Sequence, residues 1–257
     1  MKIALSGKGG VGKTTVCSMI IRDMAERGNK VLAIDADPDA NLGQALGMPD
    51  WEKITPISKM RELIAERTES QPGSYGTFFK LNPKVDDLPD TLSLAKGGIK
   101  LMVLGGVESG GGGCICPEST MLKALVTNVL LYRDEHLILD MEAGVEHLGR
   151  ATAKAVDRLI VVVEPGRRSM DTARHIRELG KDLGIEQVVL VGNKIRGDKD
   201  REFLSKALSD FEFLGFLPYD QEIIEADLDG VSPFDRQTAV RETVREIVDN
   251  LLESAGG

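Results

Sequence analysis

The chain is poor in cysteine and aromatic residues and has no long apolar run. Its 257 residues include three cysteines, two of them separated by one residue, and aromatic side chains make up 4%. So few cysteines exclude a disulfide framework and favour a reducing compartment. No apolar run approaches the length of a membrane-spanning helix, and an apolar strand predicted from residue 2 leaves no room for a signal peptide. We therefore expect a cytoplasmic protein with no membrane partner.

Basic residues are also in deficit. The chain carries 32 Lys and Arg against 41 Asp and Glu, a formal net charge of −9. This balance opposes non-specific binding to nucleic acid or to an anionic membrane. The hydrophobic content of 42% and charged content of 28% are ordinary for a globular protein, and the length suits one α/β domain over residues 1–257.

Short apolar runs alternate with helical patterns along most of the chain. The predicted strands are 2–6, 31–34, 101–104, 136–140, 159–163, 188–191 and 213–217, and the clearest predicted helices are 119–132 and 169–183. Apolar runs without alternation are typical of parallel strands covered on both faces. We predict a doubly wound, mainly parallel sheet of seven or eight strands with helices on both faces. Residues 50–100, rich in proline, are predicted to form an irregular insertion with one helix near 57–67.

The most informative stretch is residues 7–14, which read Gly-Lys-Gly-Gly-Val-Gly-Lys-Thr. This is the phosphate-loop pattern of P-loop NTPases, and it stands between a predicted strand and a predicted helix. Backbone N–H groups and the positive end of the helix dipole would meet a polyphosphate there. The predicted ATP-binding residues are Gly9, Gly10, Val11, Gly12, Lys13, Thr14 and Thr15, with Thr14 also a Mg²⁺ ligand.

Further candidates stand at the ends of other predicted strands. Asp140 closes an apolar strand, as does the aspartate that holds Mg²⁺ through water in P-loop proteins. Asp37 and Asn193 follow two other strands, so both are predicted at the same edge of the sheet. Lys8 lies at the mouth of the loop and is poorly placed to serve its own phosphates. If two chains face each other across their nucleotides, it reaches the phosphate of the other chain.

This loop resembles the deviant phosphate loop of the dimerising ATPases that include the nitrogenase iron protein and the MinD and ParA proteins. The resemblance implies a homodimeric ATPase in which Lys8, Lys13, Asp37 and Asp140 are catalytic and Asn193 contacts adenine. It also implies that Asp37 positions the attacking water. Asp35 and Asp39 stay open as alternatives.

A pair of cysteines, Cys114 and Cys116, follows a run of glycines and precedes a predicted helix. A helix N-terminus favours the thiolate, which is the form that binds metal. One chain offers two thiolates, whereas a loop on a two-fold axis would offer four, enough for a tetrahedral site. Zinc, nickel and copper(I) all fit such a site. We interpret Cys17, which lies near the apolar face of the predicted first helix, as a core residue.

Several motifs together resemble one family more closely. Besides the loop and the cysteine pair, they are residues 35–39, 42–44, 81–85, 143–148, 149–157 and 163–165. They are similar to the CooC-type nickel-insertion ATPases of carbon monoxide dehydrogenase maturation. That resemblance implies a metallochaperone that binds one nickel between two chains and delivers it to the catalytic subunit of the dehydrogenase. Residues 167–169 match the family least well.

Two other functions fit parts of the sequence. An electron-transfer ATPase like the nitrogenase iron protein would take its two cysteines per chain from separate loops, and here no cysteine follows Cys116. A positioning ATPase like MinD or ParA would use the amphipathic C-terminal segment on a membrane, but that segment carries acidic residues on its polar face. We expect this segment to pack on the core.

Overall fold

The computed structural model describes residues 1–70, 78–105, 116–142, 148, 150–236 and 239–253. These residues form an eight-stranded sheet with helices on both faces, as predicted. The strands are β1 (Lys2–Gly7), β2 (Val31–Asp35), β3 (Leu94–Lys96), β4 (Ile99–Val103), β5 (His136–Asp140), β6 (Arg158–Val163), β7 (Val188–Ile195) and β8 (Glu212–Pro218). Their order across the sheet is β3-β4-β2-β5-β1-β6-β7-β8, and all pair in parallel except β3 with β4.

Most helices lie between strands in the sequence, and the last two follow β8. They are α1 (Lys13–Glu26), α2 (Leu42–Ala45), α3 (Arg61–Thr68), α4 (Leu88–Thr91), α5 (Pro117–Tyr132), α6 (Arg150–Ala153), α7 (Arg167–Leu183), α8 (Asp198–Ala207), α9 (Gln221–Leu228) and α10 (Val240–Glu253). Buried side chains of α1 and α10 form the core on one face of the sheet, and those of α5 and α7 belong to the core on the other face.

The C-terminal helix packs on the core, as expected. Val244, Ile247, Val248 and Leu251 of α10 are at most 1% exposed, so its apolar stripe is already covered. Within the described residues, no helix is both long and apolar enough to cross a membrane.

Two details differ from the sequence prediction. Strand β3 was not predicted, because it has three residues, is largely exposed and lies at the edge of the sheet. The helix expected near 57–67 is broken: a 3₁₀ turn covers Ile57–Lys59, and α3 begins at Arg61. Met60 separates them with a ψ of 67°, which is not helical. That residues 1–257 form one domain stays a prediction.

Parallel strands bring their carboxyl ends to one edge of the sheet. The loop after β1 therefore shares that edge with the ends of β2, β5, β6 and β7. This arrangement brings together residues as far apart in the sequence as Gly10 and Lys194, which are separated by 184 positions.

Candidate functional site

The loop between β1 and α1 has the geometry of a phosphate cradle. Gly12, the residue before α1, has a φ of 91°, and no side chain caps the helix. A Cβ on Gly12 would lie 2.5 Å from the side-chain nitrogen of Asn193, so glycine is needed there for two reasons. The uncapped N-terminus of a 14-residue helix presents N–H groups and positive dipole to an anion.

Asp140 is the most unusual side chain at this site. It is fully buried, and neither carboxylate oxygen has a well-formed hydrogen bond within the described part of the chain. Burial raises the pKa of Asp140 to about 6, and the nearby Thr14 hydroxyl and Lys13 charge oppose that rise. A buried carboxylate that lacks well-formed hydrogen bonds is costly unless a cation lies close to it. The pair of Thr14 and Asp140 therefore fits Mg²⁺, whose preferred ligands are hydroxyl, carboxylate and water oxygens.

The segment after β2 separates the three candidate aspartates by environment. The Asp35 carboxylate accepts hydrogen bonds from the backbone N–H groups of Asp37 (3.2 Å) and Leu42 (2.9 Å). Burial raises its pKa to about 7, against the effect of these hydrogen bonds. Asp37 is half-buried and accepts a hydrogen bond from the N–H of Asp39, which is exposed. Asp35 thus holds the segment in place, and the role of Asp37 in positioning water stays a prediction.

Asn193 contacts the phosphate loop directly. Its side-chain nitrogen donates a hydrogen bond to the carbonyl oxygen of Val11 at 2.8 Å, and the residue is buried. One of its two amide N–H groups is therefore used within the protein. The amide oxygen is an acceptor suited to the exocyclic amino group of adenine.

An open cleft of about 550 Å³ extends from the loop past Asn193. It is lined by Gly10, Gly12, Thr14, Thr15, Asn41, Gln44, Ala45, Asn193, Lys194, Pro218, Tyr219, Asp220, Ile223, Ile224 and Asp227. The volume is typical of a small-molecule site. The sequence analysis did not predict that residues 218–227 line this cleft. Because they start at the carboxyl end of β8, which lies at the same edge of the sheet, their position could have been inferred.

Lys8 and Lys13 differ in burial. Lys13 is 8% exposed, at the start of α1 and near Asp140. The Lys8 side chain is 37% exposed, and its ammonium lies 3.9 Å from a carboxylate oxygen of Glu164. Glu164 was noted in the sequence as part of a family motif but was not predicted as a site residue.

Of the two candidate metal-binding cysteines, Cys116 is described and Cys114 lies outside the described residues. Cys116 is the N-cap of α5, and its sulfur accepts a hydrogen bond from the N–H of Ser119 at 3.4 Å. The predicted position before a helix is confirmed. In the part of the chain that is described, no group of three or more metal-ligating side chains occurs. Cys17 is fully buried in α1, and burial raises the pKa of its thiol well above the usual value.

Comparison with known proteins identifies the family. The model of the CobQ/CobB/MinD/ParA nucleotide-binding domain matches residues 2–234. The carbon monoxide dehydrogenase accessory protein CooC of Rhodospirillum rubrum is 44% identical, with coverage of 100% of this chain and 98% of that protein. The chain belongs to the CooC-type nucleotide-binding proteins. An uncharacterized ATP-binding protein of Methanocaldococcus jannaschii is 42% identical, with coverage of 98% of both chains.

Solved structures confirm the fold of this CooC-type chain. The septum site-determining protein MinD of Pyrococcus horikoshii, complexed with Mg-ADP, superposes with a TM-score of 0.69 at 20% identity, covering 99% of this chain and 96% of that chain. A plasmid partition protein of Borrelia burgdorferi bound to AMPPNP gives a TM-score of 0.68 at 17% identity, with 98% of both chains covered. The doubly wound P-loop fold is thereby confirmed.

Proposed function

We propose that this protein is a dimeric, ATP-hydrolysing metallochaperone that carries nickel on its Cys-x-Cys pair. Its client is the catalytic subunit of carbon monoxide dehydrogenase, whose active-site cluster receives the metal. The observation that carries the nucleotide part is the buried, unpartnered Asp140 beside the phosphate loop. The nickel and client parts rest on similarity to the CooC protein, together with Cys116 at the N-terminus of α5.

Each nucleotide-site residue has a distinct role in this proposal. Thr14 would ligate Mg²⁺ and Asp140 would hold it through water, and the ion would neutralise charge on the β- and γ-phosphates. Lys13 and the backbone of residues 9–15 bind the phosphates. The Asn193 amide oxygen and the cleft beside it hold the adenine.

Hydrolysis joins a water oxygen to the γ-phosphorus and breaks the bond to the leaving ADP oxygen. Asp37 orients that water, and Asp35 holds the Asp37 segment through the N–H groups of Asp37 and Leu42. In the loose transition state negative charge is spread over the equatorial oxygens of the transferring group and builds up on the leaving oxygen, and Lys8 from the partner subunit offsets it.

The metal site needs two copies of the chain. Cys114 and Cys116 provide two thiolates, and four complete a tetrahedral site for nickel, with zinc as the competing metal. The N–H of Ser119 at the Cys116 sulfur supports a negative charge there.

A membrane-positioning switch fits less well, although the fold is shared with MinD. The apolar face of α10 is buried against α1 and β8. A helix that docks reversibly on a membrane needs that face for lipid.

The metal proposal is tested by anaerobic titration of the reduced protein with nickel, with and without Mg-ATP. The readouts are the thiolate-to-nickel absorption band and the metal-to-chain ratio. We expect one nickel per two chains, and loss of the band in the Cys114→Ser/Cys116→Ser variant with ATP binding retained. Cys17→Ala, which removes the buried thiol, is the matched control and should keep the band. Nickel binding that survives the double substitution would refute the site.

A further inference from the structure

Glu164 lies between two parts of the nucleotide site. It follows β6, which pairs with β1 on one side and with β7 on the other. The phosphate loop follows β1, and Asn193 and Lys194 lie near the end of β7. The backbone N–H of Glu164 donates a hydrogen bond to the Ser169 hydroxyl at 3.0 Å, which fixes the chain as it enters α7.

The two carboxylate oxygens of Glu164 face different lysines. One oxygen lies 3.1 Å from the Lys194 ammonium, and the other lies 3.9 Å from the Lys8 ammonium. Lys194 also donates a hydrogen bond to the carbonyl oxygen of Gly10 at 2.5 Å. The contact with Lys194 is therefore firm and tied to the loop, whereas the contact with Lys8 is loose.

Lys194 adopts a conformation that is unusual for its residue type. Its φ is 58°, in the left-handed region that favours glycine. Such a backbone persists where surrounding contacts hold it, and it is frequent at functional sites. Lys194 lies in an irregularity of the β7–β8 pairing between Gly192 and Ile195, and from there its ammonium contacts both Gly10 and Glu164.

We propose that Glu164 is a positioning residue that holds Lys8 over its own chain until a nucleotide-bound partner arrives. The inference rests on the proposed function, in which Lys8 acts on the partner's phosphate. The Glu164 carboxylate stays anchored on Lys194, whose ammonium also donates to the Gly10 carbonyl, and the looser contact with Lys8 breaks when the second chain docks. The Lys8 and Glu164 side chains are 37% and 27% exposed, so the ion pair is weak and its release is easy.

The direction of the effect follows from this geometry. A contact made before docking and lost on docking opposes dimerisation. Glu164→Gln keeps the shape of the side chain and removes its charge, so it frees Lys8 for the partner. Each chain loses one such contact when the dimer forms, so two ion pairs are broken. We therefore expect the dissociation constant of the dimer to fall by about two- to thirtyfold, the square of the change for one exposed ion pair. Nucleotide affinity of the single chain should change by less than about twofold, because no Glu164 atom lines the nucleotide cleft.

The experiment measures the dimer dissociation constant by sedimentation with Mg-AMPPNP, and nucleotide binding with a fluorescent ATP analogue on dilute protein. Glu178→Gln is the matched control, since it removes one negative charge from an exposed position on α7. Lys194→Met removes the anchoring arm and should weaken nucleotide binding through the freed Gly10 carbonyl. Glu164→Asp keeps the charge and should lie between wild type and Glu164→Gln.

The outcomes separate this inference from the proposed function. Tighter dimers in Glu164→Gln but not in Glu178→Gln support it. If Glu164→Gln dimers are unchanged or weaker, the inference is overturned. If, in the same experiment, wild type dimerises and Lys8→Ala does not, the proposed function still stands. Wild type that stays monomeric with Mg-AMPPNP would refute both.

Discussion

Among single residues, Asp140 has the environment that most directly links proton and metal binding. Its carboxyl is buried with a pKa raised to about 6, and Mg²⁺ needs the ionised form. Below about pH 6 a proton competes with the metal for the Asp140 carboxylate, and above about pH 6 the carboxylate is ionised and free of that competition. Affinity for Mg-ATP should therefore fall by up to about tenfold per pH unit as the pH drops below 6.

This prediction is checked by titrating nucleotide at several pH values from 5 to 8. The Asp140→Asn variant has no carboxyl to ionise at this position. Protonation of the nucleotide itself affects both proteins equally, so the difference between them reports on Asp140. We expect weaker Mg-ATP binding in Asp140→Asn and a smaller dependence on pH. Equal pH dependence in the two proteins would show that Asp140 does not bind the metal.

At the scale of elements, the ends of β2 and β5 place two acidic groups side by side. Asp35 and Asp140 are register partners in the parallel pair, and burial raises both pKa values. A carboxyl whose pKa is higher in the folded state than in the unfolded chain contributes its full stabilisation at pH values below the unfolded-state pKa. That contribution is lost as the pH rises through the folded value. Without nucleotide, the free energy of unfolding should therefore fall between about pH 4 and pH 7.

Asp35→Asn tests this strand pair. The amide cannot ionise, so the fall in unfolding free energy across that pH range should become smaller, with the Asp140 contribution left. Urea unfolding at pH 4.5, 6 and 7.5 measures it. Asp39→Asn, at an exposed position on the same loop, should leave the profile as in wild type. If the free energy of unfolding depends on pH in Asp35→Asn as it does in wild type, the raised pKa of Asp35 is not the cause of that dependence.

The elements also explain how far sequence alone predicts this molecule. Continuous apolar runs such as 159–163 identify buried parallel strands, and the loop motif identifies Lys13 and Thr14, because both patterns are local. Strand β3 lacks such a run. The contacts of Lys194 with Gly10 and Glu164 join three distant parts of the chain, and only the order of β1, β6 and β7 brings them together.

At the scale of the whole molecule, both proposed activities need a second copy. One chain offers two neighbouring thiols, and its Lys8 is paired with its own Glu164. A net charge of −9 opposes association of two identical chains until positive groups meet the nucleotide phosphates. In the proposed dimer, the phosphates of bound Mg-ATP are the negative charge that draws Lys8 of each chain across to the other.

Lys8→Ala is the direct test of that coupling between two chains. We expect nucleotide affinity within about twofold of wild type, because Lys13 and the loop backbone remain. Dimerisation with Mg-AMPPNP should be lost, and the hydrolysis rate should fall by about 10³-fold or more, as when an arginine finger is removed. Sedimentation and phosphate release measure the two effects. Lys199→Ala, which removes an exposed lysine from α8, should behave as wild type. Normal turnover in Lys8→Ala would mean that each chain hydrolyses ATP alone. Something other than the nucleotide would then have to bring together the two chains that hold the nickel.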